Sequence, residues 1–306
     1  MESSAGTYTI VDLEHMGRPE SIAACILESS DGFLVVDPGP ASTLPALERA
    51  LAALGAGVAD LRAVLLTHIH LDHAAASGTL ARENPGITVY VHERGAGHMA
   101  DPAKLLQSAT RLYGHRMHEL WGTMEPVPAD QLRALAGGER LTFGERRLTV
   151  AYTPGHAWHH LTWFDEASGT AFVGDTAGLR TPGLPVVLPV TPPPDFDLEA
   201  WLASIDRILL LKPTQLVLTH FGPSPDPAGH LASLREGLLD WTDLARLALA
   251  EEGDDGAKLA RFVDGLVEWT RSRVPAEQAE RYLDGAGPES CWRGLKRYWE
   301  RPAKSG

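Results

Sequence analysis

Strand and turn signals alternate at the start of the chain. TYTIVDL (7–13), SIAACIL (21–27) and GFLVVDPGP (32–40) are β-rich runs, the last ended by a Pro-Gly turn. LPALERALAALG (44–55) changes to a helical period and is closed by Gly55. LRAVLLTH (61–68) is an apolar strand apart from Arg62, DHAAASGTLAREN (72–84) reads as a helix, and ITVYVHE (87–93) as another strand. Over 94–136 the strand rhythm stops, and the polar, helical character predicts an insertion laid over the rest. Strands resume at RRLTVAYTPGH (146–156), in a hairpin over 160–175 turning at 167–169, and at TQLVLTH (214–220). An amphipathic helix, LEAWLASIDRILLL (198–211), falls between the last two. From about 227 onward only helical signals remain.

This order predicts one α/β body over residues 1–226, with a helical insertion at about 94–136 and a helical C-terminal extension over 227–306. Trp201, Trp241, Trp269, Trp292 and Trp299 stand among leucines at helical spacing, as core or interface residues do. The helical segments also offer a surface for a homodimer.

Composition narrows the function. With 44% hydrophobic residues in 306, the chain has material for a globular core. The net charge of −13 repels phosphate backbones and anionic lipid, which argues against nucleic-acid and membrane partners and for a small-molecule substrate. The last sixteen residues are an exception: Arg293, Lys296, Arg297, Arg301 and Lys304 face only Glu300 there, and read as a solvated, frayed terminus. Cys25 and Cys291 imply no disulfide framework. MESSAGTYTI lacks a basic start and an apolar core, and no run approaches the ~18 apolar residues of a membrane span, so a cytoplasmic location is expected.

The chemistry concentrates in THIHLDH (67–73). Several apolar strands end in a metal-type residue: LLT in His68, VAYTPG in His156, AFVG in Asp175 and LVLT in His220. One histidine at a strand end is usually a polar rim residue. The H-x-H-x-D-H arrangement is different. His68 and His70 alternate as on an extended chain and can point the same way, while Asp72 and His73 turn into a helix and can point elsewhere. One short segment can then serve two neighbouring metals. Imidazole and carboxylate suit Zn²⁺, Fe²⁺ or Mn²⁺. A metal lowers the pKa of bound water from about 15.7 to about 7, so the cluster can make a water nucleophile near neutral pH.

VVDPG (35–39), THIHLDH (67–73), TPGH (153–156), GDT (174–176) and TH (219–220) occur in the order found in the metallo-β-lactamase superfamily, which the chain resembles. The resemblance implies a four-layer αββα sandwich with the site at one edge. It implies that His68, His70 and His156 hold one divalent metal and Asp72, His73 and His220 a second. Asp175 would bridge both, and Asp37 would support the site without ligating. Zn²⁺ is the expected metal, with Fe²⁺ or Mn²⁺ as alternatives. Asp72 and Asp175 are the expected catalytic carboxylates.

Departures within the motifs bear on the substrate. β-Lactamases of the superfamily usually lack the bridging Asp, which is present here as Asp175. The glyoxalase II-like and lactonase-like groups fit better, and both attack a carbonyl with metal-bound hydroxide. His159 stands where they commonly have glycine, and residues 176–195 contain no tyrosine, which lactonases use. The expected reaction is therefore hydrolysis of an ester, lactone or thioester by a hydroxide bridging two metals. His159 and His160, with Tyr113, His115, His118 and Trp121 of the insertion, are candidate substrate-binding residues. An iron-dependent oxygenase resembling persulfide dioxygenase is the alternative on the same fold. A phosphodiesterase or nuclease is third, disfavoured by the charge.

Overall fold

The computed structural model describes residues 8–301. Its first sheet runs in chain order: β1 (Tyr8–Asp12), β2 (Ala23–Ser29), β3 (Gly32–Val36), β4 (Leu61–Leu65), β5 (Thr88–His92) and β6 (Leu132–Leu135). The first three strands are antiparallel and β3 to β6 are parallel. The second sheet contains β7 (Arg140–Phe143), β8 (Arg146–Tyr152), β9 (Leu161–Asp165), β10 (Thr170–Phe172), β13 (Gln215–Leu218) and β14 (Gly222–Ser224). Its spatial order is β14-β13-β10-β9-β8-β7, with β10 and β13 parallel. A two-stranded ribbon of β11 (Leu179–Arg180) and β12 (Val187–Leu188) lies apart.

The apolar strand runs follow from burial on both faces. Leu34 and Val36 of β3 and Leu65 of β4 point between the sheets, where they meet Leu148, Leu161, Trp163, Phe172 and Val217. Val35 and Val64, one residue out of phase, join a second core with Leu47 and Leu51 of α1 (Leu44–Ala53). On the far side, Leu216 and Leu218 of β13 pack against Trp201, Ile205 and Ile208 of α7 (Leu198–Leu210). The result is helix, sheet, sheet, helix, in the predicted order of layers. Trp163 Nε1 bonds the Leu66 carbonyl at 3.0 Å and ties the two sheets together.

Elements with little periodicity differ from expectation. The stretch 94–136 holds α4 (Glu93–Ala100), α5 (Ala103–Tyr113) and α6 (Met117–Trp121), but it ends in strand β6. β6 is a four-residue edge strand with only Leu135 buried, so no alternation marks it. The expected helix over 72–84 is two: α2 (Leu71–Ala74) and α3 (Ser77–Glu83). The strands expected to reach His68 and His156 stop at Leu65 and Tyr152, so both histidines stand on loops just beyond strand ends.

The C-terminal helices are α8 (Pro227–Ala250), α9 (Asp255–Arg271), α10 (Ala276–Ala286) and α11 (Pro288–Glu300). Asp226 and Asp254 cap α8 and α9 by accepting from Gly229 and Ala257 amides at 3.0 and 2.9 Å. Trp241, Phe262, Leu266, Trp292 and Leu295 share one core with the outer face of the second sheet. Trp269 packs against that core half-buried, while Trp299 is 41% exposed. The basic end of the chain is not a frayed terminus as far as Arg301. α11 buries Trp292, Leu295 and Tyr298, and Arg301 bonds Asp197 and Glu199. Lys304 lies outside the described residues.

Candidate metal centre

Loops at one end of the two sheets carry the charged cluster. The loop after β4 brings His68 and His70, and α2 brings Asp72 and His73. The turn after β8 brings His156, that after β10 brings Asp175, and that after β13 brings His220. Gly174, with φ +45°, lets Asp175 approach: a Cβ there would fall 2.7 Å from Thr67 Cβ and 2.8 Å from His160 Nε2.

Two groups of donor atoms result, each gathered within 4.8 Å: His68, His70, His156 and Asp175, and Asp72, His73 and His220. Asp175 reaches both. Its Oδ2 is 3.3 Å from His156 Nε2, and its Oδ1 is 3.1 Å from His73 Nε2 and 3.6 Å from His220 Nε2. His220 Nε2 is also 3.3 Å from Asp72 Oδ2.

The outward ring nitrogens fix the tautomers, because a carbonyl or carboxylate can only accept. His156 Nδ1 donates to the Val190 carbonyl, His220 Nδ1 to the Ser21 carbonyl and His73 Nδ1 to Asp37 Oδ2, each at 2.8 Å. The Thr67 hydroxyl gives its proton to Asp37, so it accepts from His68 Nδ1 at 3.1 Å. In their neutral form all four rings therefore turn a bare Nε2 inward. His70 Nδ1 lies 2.9 Å from His68 Nε2 and 3.0 Å from His156 Nε2, and one proton cannot satisfy both contacts. His73 Nε2 and Asp175 Oδ1 are buried 3.1 Å apart, and neither makes a well-directed hydrogen bond to the other or to any other group. Converging lone pairs and orphaned buried acceptors are costly unless a cation sits among them. The donor set thus fits divalent metal.

Titration follows the same division. Burial, reinforced by neighbouring imidazoles, pushes His68 well below its ordinary value. Burial brings His156 down to about 4. Burial also opposes charge on His73 and His220, but the carboxylates of Asp175 and Asp72 outweigh it and raise both. In return, despite burial, His73 and His220 hold Asp72 and Asp175 below the usual carboxylate range. The second group draws in positive charge.

Asp37 organises the centre without facing either group. It is fully buried and accepts from the Thr67 amide (2.8 Å), the Thr67 hydroxyl (2.7 Å), His73 Nδ1 (2.8 Å) and the Thr219 hydroxyl (2.9 Å). The threonine before the histidine in each of 67–68 and 219–220 serves this carboxylate, and that repeated Thr-His pair is its trace in the sequence. The Val190 and Ser21 carbonyls carried no signal, since a backbone acceptor leaves no residue type behind.

The remaining candidates divide. His159 stands beside the first group, 5.7 Å ring to ring from His70 and 3.8 Å from Asp195 Oδ2, and is partly exposed. His160 is fully buried, held by the Thr153 hydroxyl at 3.0 Å and the Thr176 amide at 3.4 Å, and packs beneath His68. Its bonds are those of a supporting residue, with no face toward a substrate. Tyr113 is 40% exposed, and burial followed by the Asp72 charge raises its hydroxyl to about 12. Trp121 is buried, stacked on His15 at 5.2 Å and edge-on to Tyr113 at 5.1 Å, which makes it packing beneath Tyr113. His115 and His118 are exposed on the insertion, and neither belongs to the donor groups.

Comparison with known proteins agrees with this geometry. A family model described as the metallo-beta-lactamase superfamily matches residues 17–220. A metallo-beta-lactamase fold-containing protein of Sulfurisphaera tokodaii is 30% identical over 167 residues, covering 52% of this chain and 60% of that protein. A hydroxyacylglutathione hydrolase of Thermosynechococcus vestitus is 30% identical over 152 residues, covering 47% of each. The chain thus spans 60% and 47% of the length of these two relatives. The crystal structure of an archaeal metallo-beta-lactamase superfamily protein from Sulfolobus tokodaii matches with a TM-score of 0.64 at 22% identity, over 95% of this chain and 98% of that one, a likeness of fold. With the layered sandwich, the ligand-bearing loops and a family match across most of both sheets, this chain belongs to the metallo-β-lactamase superfamily.

Proposed function

We propose that the chain is a metal-dependent hydrolase that holds two divalent ions and cleaves an ester-like carbonyl bond: an ester, lactone or thioester. What carries the reading is one carboxylate, Asp175, shared between two groups of convergent bare donors. Relatives named hydroxyacylglutathione hydrolases support the hydrolase class. Imidazole and carboxylate donors favour Zn²⁺, with Fe²⁺ or Mn²⁺ also suited.

His68, His70 and His156 would hold one ion, Asp72, His73 and His220 the other, and Asp175 both. Bound divalent ions supply Lewis acidity and bring the pKa of water from about 15.7 to about 7. The chain's own part is orientation. Asp175 is buried and fixes the distance between the two groups, while Asp72, 24% exposed, is the carboxylate at the mouth that orients the attacking water. His159, with Asp195 beside it, and Tyr113, whose hydroxyl feels the Asp72 charge, line the approach of the substrate carbonyl.

The test is elemental analysis of protein purified without chelators, followed by assays on lactones, thioesters and aryl esters. Two zinc or manganese ions per chain with turnover of one of these classes is the expected result. One iron per chain with oxygen consumption would replace the hydrolase with an oxygenase. Failure to take up any divalent ion would overturn the ligand assignment.

A further inference from the structure

The two donor groups are braced from opposite ends of the chain. His156, of the first group, is fixed by the Val190 carbonyl. The next residue, Thr191, is fully buried and seated on α11: its amide meets Cys291 Sγ at 3.5 Å and its hydroxyl the Cys291 carbonyl at 3.4 Å. Gly294, one helical turn on, lets the helix backbone lie against this segment. A Cβ there would overlap the Thr191 carbonyl oxygen and stand 2.9 Å from the Pro192 carbonyl carbon. α11 also holds the far side of the same turn. Arg301 Nη1 donates to Asp197 Oδ2 at 2.7 Å, and the Asp197 amide donates to the Gly155 carbonyl at 2.9 Å, next to His156.

His220, of the second group, is fixed instead by the Ser21 carbonyl, in the loop between β1 and β2. Asp12 shapes that loop by accepting from the Glu14 and Glu20 amides at 3.0 and 2.8 Å. Glu14, Met16 and Glu20 hold φ of 45°, 56° and 56° there, values that non-glycine residues keep only under constraint.

We propose that Cys291 and Gly294 of α11 are positioning residues for the first metal group, and Asp12 for the second, so that each half of the centre can be loosened separately. The assignment rests on the metal reading above. A merely structural role of the C-terminal helices would weaken both groups together, because they share Asp175. Positioning through Val190 reaches His156 alone.

The experiment compares Gly294→Ala, Cys291→Ala and Asp12→Ala with wild type. Zn²⁺ affinities are measured by competition with a chromophoric chelator, and ¹⁵N-histidine spectra report which ring nitrogens gain the ion. Loss of a support behind a ligand typically costs 10–100-fold in metal affinity. Gly294→Ala is expected to weaken the ion at His156 by about tenfold and leave the ion at His220 within about twofold. Asp12→Ala is expected to do the reverse. Cys291→Ala, which removes an acceptor without adding bulk, carries the same expectation as Gly294→Ala and decides the matter if the bulkier variant does not fold. Equal weakening of both ions in either kind of variant, or unchanged affinities in folded variants, overturns the proposal. A wild type that takes up neither Zn²⁺ nor Mn²⁺ nor Fe²⁺ would instead overturn the metal reading on which the proposal rests.

Discussion

Asp37→Asn removes one oxygen acceptor and the charge without changing size. The carboxylate is fully buried and takes four hydrogen bonds, one at Oδ1 and three at Oδ2. The amide's cheaper orientation keeps oxygen toward the three donors and turns its NH₂ onto the Thr67 N–H. A buried donor left unpaired costs about 1–3 kcal/mol, and each surviving bond changes from charge-assisted to neutral, a loss of roughly 1 kcal/mol. Relief from burying a charge offsets part of this, leaving a net destabilisation of about 2–4 kcal/mol. His73 keeps an acceptor at Nδ1 but loses the negative charge that makes its ring a stronger donor to a metal, so affinity at the second group should fall 10–100-fold. Urea unfolding of chelator-treated protein measures the first effect free of metal, and Zn²⁺ competition measures the second. A metal-free variant within about 0.5 kcal/mol of wild type would refute the account of Asp37 as the organiser of the centre, since that is the scatter of an ordinary surface change.

Two further outcomes are expected. Asp175→Ala removes an oxygen from both groups, so metal content and activity should fall together; full activity with two ions retained would exclude the bridging role. His230 gives a pH dependence away from the ligands: burial lowers it from 6.5 to about 4, while Nε2 donates to the Ala177 carbonyl at 2.8 Å. A depressed folded pKa means the neutral ring is favoured, so this stability is full above the unfolded value of 6.5 and is lost as pH falls toward about 4. Between pH 7 and 5 the loss is about 2 kcal/mol, and His230→Gln, which keeps the donor without titrating, should flatten the unfolding free energy by that amount. An unchanged slope would show that His230 takes up protons alike in the folded and unfolded states, and that its folded value is not depressed.

The sequence by itself fixed the local content of the two sheets. Strands buried on both faces must be mainly apolar, so β2, β3, β4, β9, β10 and β13 announced themselves, whereas the edge strands β6 and β7 had too little burial to leave a pattern and β14, Gly-Pro-Ser, has no strand-type side chain to mark it. It also carried the donors, because metal ligation demands particular side chains and the spacing of His68, His70, Asp72 and His73 is local. Tertiary structure alone decided what surrounds them. Which ring nitrogen faces inward depends on the Val190 and Ser21 carbonyls, and any residue has a carbonyl. His160 and His159 are adjacent and alike in sequence, yet one is sealed between Thr153 and Thr176 and the other stands beside Asp195 near the opening. The tail that reads as basic and solvated is packed as far as Arg301, because Asp197 and Glu199, about a hundred residues earlier, are folded against its end. Side-chain chemistry is written residue by residue, but the partners that orient it are chosen by the chain's path through space.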